Sequence, residues 1–235
     1  IDEGFLGAYM EKAKSYEKLK KFEEAIDCYK IAIELDDPSS FVLLRMAKCY
    51  ERIGNIEFAL NFYLKTVHED PLLDKGWIAI TDFYIRQKNY QKALYYVNKA
   101  IGIDGDNPLY WKRFAAVNSA LHFFEEAEYG YRKAFESGDV NLDTLTLWTD
   151  VLQFLGEFDN AIEILLEATN LFPEEYEIEY RLAGLYFLCN EDIKGNFHLN
   201  NGLRLNYKNK TMLKDYFPVV WERTEVQNQI AKFKK

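Results

Sequence analysis

Cysteine, histidine and proline are all scarce in this sequence, and the scarcity removes whole classes of activity. The three cysteines, Cys28, Cys49 and Cys189, are odd in number and lack metal-site spacing, so they read as free buried thiols in a reducing compartment. The three histidines, His68, His122 and His198, stand far apart in the chain and offer neither an acid–base pair nor a metal cluster. There is no glycine-rich phosphate loop and no nucleophile elbow, and carboxylates spread along helices are mostly solvated faces. No apolar run approaches the ~20 residues of a membrane-spanning helix, and no signal peptide is visible. Basic residues number 29 against 38 acidic ones, and a net charge of -9 argues against a nucleic-acid partner. The expectation is a protein without catalytic residues, metal, cofactor or membrane segment. It is expected in the cytoplasm, with the periplasm as the alternative because the chain opens at Ile1 without a methionine and reads as an excised fragment. The triplet Asn209-Lys210-Thr211 matters as a glycosylation acceptor only in a secreted protein.

What the sequence has in place of such chemistry is a period. Steps of 34 residues link Ala25, Ala59, Ala93, Ala127, Ala161 and Gly195, six small residues in succession. The column Ala13, Ala47, Thr81, Ala115, Thr149 and Ala183 is small as well, and Tyr16, Tyr50, Tyr84 and Tyr186 follow three residues behind it, with Asn118 and Leu152 as exceptions. Small residues let helix axes approach closely while the rings fill the space beside them. A fixed period of this length means stacked copies of one supersecondary unit.

These residues resemble the tetratricopeptide repeat, whose pattern W-x2-L-G-x2-Y…A-x3-F…P has the same period. The best copies are Trp77-x2-Ile80-Thr81-x2-Tyr84…Ala93-x3-Val97 and Leu43-x2-Met46-Ala47-x2-Tyr50…Ala59-x3-Tyr63…Pro71. The resemblance implies an all-α, right-handed α-solenoid of helix-turn-helix repeats. Six repeats are expected within residues 1–209, at 6–39, 40–73, 74–107, 108–141, 142–175 and 176–209, followed by a C-terminal capping segment at 210–235.

Breaks fall in the same phase. Asp36-Asp37-Pro38, Gly54-Asn55, Asp70-Pro71, Gly105-Asp106-Asn107, Ser137-Gly138-Asp139 and Pro173 stop helices, and Pro108 suits a first turn. Ile1 to Gly4 reads as a lead-in. In the fifth copy Leu145 stands in the aromatic column and Trp148 in the next core column, as a compensated swap. The sixth copy departs most, with Glu179 for the aromatic, Gly195 and Gly202 for alanines and Tyr207 for the proline, so its second helix is expected to be the loosest. Thr211 to Phe217 could imitate a seventh first helix until Pro218. Thr224-x-x-Gln227 is a capping box opening a last helix, with Val226, Ile230 and Phe233 on one stripe and Lys232, Lys234 and Lys235 at its end.

In the family the first helix of each repeat lines a concave groove. The outermost groove column here is Lys18, Arg52, Arg86, Ala120, Phe154 and Leu188, basic for three repeats and apolar afterwards. Lys14 and Lys48 stand one turn earlier, and Arg45 and Arg113 extend the basic patch. Asp82 is expected to pair with Arg86. The expected guest is a protein or an extended peptide of acidic or carboxylate-bearing character, with Leu147, Phe154, Phe187 and Leu188 receiving its apolar side chains. Against this stand neutralisation by Glu11, Glu17 and Glu51 and a cover over the apolar half. The family's carboxylate clamp is not matched, because Met10, Lys14, Arg45 and Ala79 stand where other residue types are required and only Lys75, or Arg113 one repeat later, fits. The alternative is a structural, self-assembling module whose groove packs on another copy or on other domains. The expected state is a monomer or a weak homo-oligomer.

Overall fold

A computed structural model of the chain describes residues 3–35 and 39–233. The stop at Asp36-Asp37-Pro38, Ile1 and Asp2 of the lead-in, and Lys234 and Lys235 lie outside the described residues. The first helix already runs from Glu3, so the lead-in does not extend to Gly4.

Among the described residues every regular element is helical. The order is α1 (Glu3–Lys18), α2 (Phe22–Leu35), α3 (Ser40–Arg52), α4 (Ile56–Glu69), α5 (Asp74–Arg86), α6 (Tyr90–Ile103), α7 (Pro108–Ala120), α8 (Phe124–Glu136), α9 (Leu142–Leu155), α10 (Phe158–Leu171), α11 (Tyr176–Leu188) and α12 (Asp192–Asn206). A 3-10 turn at Tyr207–Asn209 leads to α13 (Met212–Tyr216), α14 (Pro218–Trp221) and α15 (Thr224–Phe233). The chain divides into two compact units, residues 1–117 and 118–235.

Local chemistry explains why the helices break in phase. The turn between first and second helix needs one residue in the left-handed region, and it falls at Lys20, Gly54, Lys88, His122, Gly156 and Asn190, a single column of the period. Glycine adopts this conformation at no steric cost, whereas lysine and histidine do so only because the packed helices on either side demand it. At Lys88 φ is 55°. Lys88→Gly is therefore expected to stabilise its unit by about 0.5–1 kcal/mol, read as a higher urea midpoint at unchanged slope. An unchanged or lower midpoint would refute the strain. Two of the second helices are capped next door, where Asn55 accepts from the Phe58 N–H at 3.3 Å and Asn89 from the Lys92 N–H at 3.2 Å.

In the first unit α2 packs on α1 and α3, and α4 on α3 and α5. Ala25, Ala59 and Ala93 are wholly buried, as the close approach of helix pairs requires. Val97, Ala100 and Tyr110 carry the core into the start of α7. In the second unit α9 packs on α8 and α10, and α11 on α10 and α12. Leu145 and Trp148 are both buried, with the large ring one turn later than in Trp77, which is the swap expected.

The sixth pair corrects two expectations. Its glycines are not loose points, because aromatic rings occupy the room they leave. A Cβ at Gly195 would lie 2.8 Å from the Phe187 ring, and one at Gly202 would lie 3.0 Å from the Tyr180 ring. Helix α12 runs on to Asn206 and is one residue longer than α10. The terminal segment also does not imitate a seventh first helix. Such a helix would pack on α12, but that place is taken by α15, which buries Val226 and Ile230 there and donates from Gln229 to Asn200 at 2.7 Å. Helices α13 and α14 pack instead on α11.

Candidate functional site

In the first unit four of the seven cations of the expected basic patch, Lys14, Arg45, Arg86 and Arg113, are already engaged. Glu17 on α1 accepts Arg45 Nε and Nη2, both at 2.9 Å, and also the Tyr29 hydroxyl of α2. Burial works against the Arg45 cation, but the bonds to Glu17 and Tyr29 outweigh it and raise its pKa. Burial, and then the bond to Glu17, pushes the Tyr29 phenol up. One period on, Glu51 accepts Arg86 Nε at 2.6 Å and Nη2 at 2.7 Å, and the Tyr63 hydroxyl at 2.8 Å. Each carboxylate thus bonds a tyrosine of its own repeat and an arginine of the next. Arg113 repeats the device on Asp82 at 2.6 Å. These rungs tie first helix to first helix.

The expected Asp82–Arg86 pairing is replaced by this arrangement. Both residues lie on α5 one turn apart, but Glu51 offers Arg86 two parallel bonds while Arg113 comes to Asp82 from α7. Lys14 is held by Glu11 at 2.6 Å. Three members of the patch are exposed and form no ion pair with a described residue, namely Lys18, Lys48 and Arg52.

In the second unit the expected apolar face divides. Leu147 is exposed at 36 %, and Leu188 is half-buried. Phe154 is 71 % exposed, yet its ring stacks on Phe124 with centroids 4.8 Å apart. Phe187 is only 2 % exposed and lies against Gly195, so it belongs to the core and is corrected from ligand contact to packing residue. The cause is the missing Cβ at 195, which opens a space that the ring fills more favourably than water would.

The most buried charge of the second unit escaped the sequence reading. Arg181 on α11 is 4 % exposed and donates to Asp150, to Glu177 at 3.0 Å and to the Thr146 carbonyl at 3.4 Å, while the Tyr216 ring lies 4.0 Å from its guanidinium. Burial disfavours this cation most, and the attraction of Asp150 overcomes it, leaving the pKa raised. A signal was present: Arg181 and Asp150 stand two periods beyond Arg113 and Asp82, and both pairs are 31 residues apart.

The cysteines are free: Cys28 and Cys49 are buried, while Cys189 is half-exposed. Burial pushes the Cys49 thiol up to about 12, which suits an inert packing group better than a nucleophile. His198 contacts Glu179 at 2.8 Å and stacks on Tyr186, a local pair inside the sixth repeat. Among the described residues no three His, Cys, Asp or Glu side chains converge as a metal site, and no helix is long and apolar enough to cross a membrane.

Comparison with known proteins matches residues 7–37 to the tetratricopeptide repeat model. Among curated proteins, the BBSome complex member BBS4 of Bos taurus is 24% identical over 186 residues, covering 78% of this chain and 35% of that protein. The chain thus spans about a third of that relative's length. Among solved structures, the C-terminal part of a TPR repeat-containing protein from Cytophaga hutchinsonii is similar with a TM-score of 0.78 and 16% identity, over 89% of this chain and 86% of that one. YrrB, a TPR protein with an unusual peptide-binding site, is similar with a TM-score of 0.69 and 18% identity, over 80% of this chain and 96% of that one. At these identities the structural likenesses speak for the fold, an α-solenoid of helix-turn-helix repeats.

Proposed function

The chain is a tetratricopeptide-repeat protein, and from that premise we propose that it is a non-catalytic scaffold that binds an extended, acidic segment of a partner through Lys18, Lys48 and Arg52. One observation carries this reading. Arg45, Arg86 and Arg113 are consumed in rungs between repeats, whereas these three cations stay exposed and unpaired to any described residue on a chain whose net charge is -9. A folded protein gains nothing in stability from holding like charges close, and Lys48 and Arg52 stand one turn apart on α3, where repulsion costs about 0.2–0.5 kcal/mol. An acidic guest relieves that cost.

Each exposed contact is worth about 0.2–1 kcal/mol, so three together give a weak, salt-sensitive interaction to which backbone contacts must add. Reversing all three, as Lys18→Glu, Lys48→Glu and Arg52→Glu in one chain, is expected to weaken an acidic peptide at least tenfold in isothermal titration. The melting temperature should hardly change, because no rung is touched. Unaltered affinity would refute the assignment.

A second reading, self-assembly or packing against another domain, is favoured by the outward face of α1. Ala8, Lys12 and Ser15 are exposed there, whereas one period on Val42, Met46 and Cys49 are buried, and Phe5 is 58 % exposed beside them. Light scattering across a concentration series separates the readings: a constant monomer mass favours the scaffold, and a rising mass favours assembly.

A further inference from the structure

Helices α13 and α14 do something the repeats do not require. In the regular stack a first helix packs on the second helix before it, as α3 does on α2 and α11 on α10. The segment 212–221 instead lies on a first helix, α11, and leaves α12 to α15. Its anchors all fall in columns that carry face residues in the first unit. The Gln153 amide, in the column of Glu17 and Glu51, donates to the Tyr216 carbonyl at 3.3 Å. Arg181, in the column of Arg45 and Arg113, presents its guanidinium to the Tyr216 ring. Gly184, in the column of Lys14 and Lys48, leaves a bare backbone against which the Phe217 ring lies so closely that a methyl group at 184 would overlap it.

We propose that this part of α9 and α11 is an acceptor for two adjacent aromatic side chains, that Tyr216-Phe217 of the same chain is its resident occupant, and that a partner segment of the same chemistry displaces it. The chemistry of the seat is specific. A buried guanidinium offers a flat cationic surface for one ring, and its carboxylate partners Asp150 and Glu177 hold that surface in place. A glycine offers the only kind of backbone a second ring can approach at this distance, where the same column elsewhere holds Lys14, Lys48, Asp82, Ala116 and Asp150. The bond from Gln153 goes to a main-chain carbonyl, which any peptide supplies.

The occupant is made of short helices. Helix α13 has five residues and α14 four, far below the length at which a helix holds itself together. Leu213, Phe217 and Val220 seat the segment in buried positions, so its release is a local opening at the end of the stack, distinct from unfolding of the repeats. The proposal does not depend on the basic face of the first unit, so either can fail alone.

The test uses the whole chain carrying Tyr216→Ala and Phe217→Ala, with a labelled peptide of residues 211–221 as probe. The variant is expected to bind the peptide at least tenfold more tightly than the natural chain does. A peptide with the same two alanines should not bind, and adding Gly184→Leu to the variant should abolish binding. Equal binding by the natural chain and the variant, binding that survives Gly184→Leu, or no binding by a variant with native helicity overturns the proposal. Hydrogen exchange on the natural chain provides a measurement independent of any variant. Residues 212–221 are expected to exchange faster than α11 and α12, and equal protection overturns the idea of an exchangeable occupant.

Discussion

Arg181→Met is expected to lower the stability of the second unit by about 3 kcal/mol, the low end of the range for breaking a buried ion pair. The arginine is nearly inaccessible, while the side chains of Asp150 and Glu177 keep 30% and 24% of their exposure, so once orphaned they recover part of their hydration. Loss of the Tyr216 stacking adds to the cost. The change is read as a shift of the urea midpoint monitored by a probe in the second unit, since two units need not unfold together. Removing the carboxylates as well, in Arg181→Met with Asp150→Leu and Glu177→Gln, should return most of the loss, because the penalty comes from unpaired charge and not from missing attraction. A single variant less than about 1 kcal/mol below the natural chain would contradict the rung as a structural element.

Phe187→Ala is expected to cost about 3–5 kcal/mol, the usual range for emptying a buried aromatic site. The cavity cannot collapse easily, because the facing residue is Gly195, which has no side chain to fill it. The same geometry predicts a rescue. Gly195→Ala alone has two opposed effects: better helix propensity by about 1 kcal/mol, and a methyl carbon 2.8 Å from the ring that forces it aside at about 1–3 kcal/mol. Overpacking wins, and the single variant is destabilised. Combined with Phe187→Leu, the added methyl meets a smaller side chain, and the double variant should be more stable than the sum of the two singles. Additive effects would mean that the two positions do not share one space.

Much of the fold was legible because the signals that set it are local and periodic. Helices α3, α5, α7, α9 and α11 begin at Ser40, Asp74, Pro108, Leu142 and Tyr176, one period apart. The left-handed turn column was read at Gly54 and missed at Gly156, and it was hidden at Lys20, Lys88 and His122, where tertiary packing overrides the residue's own preference.

The face was less legible. A column of cations on the first helices could be read, but which of them remain free depends on how neighbouring first helices meet. Arg113–Asp82 and Arg181–Asp150 share one separation in sequence, whereas Arg86 reaches Glu51 across 35 residues and Arg45 reaches Glu17 across 28. Long side chains span the gap in more than one way, so the column alone does not name the partner. Phe187 was misread because the reason for its burial lies in Gly195 on the facing helix. The segment on α11 was hidden for a similar cause, since its seat consists of a glycine, a glutamine and an arginine from two helices.

The most direct test of the acidic-guest assignment compares the natural chain's affinity for two peptides of equal length, one of glutamate and one of glutamine, by fluorescence anisotropy at low ionic strength. Binding of the glutamate peptide, weakened as salt is raised, with no binding of the glutamine peptide, is the predicted result. Equal affinity for the two peptides, or a glutamate affinity indifferent to salt, would contradict it.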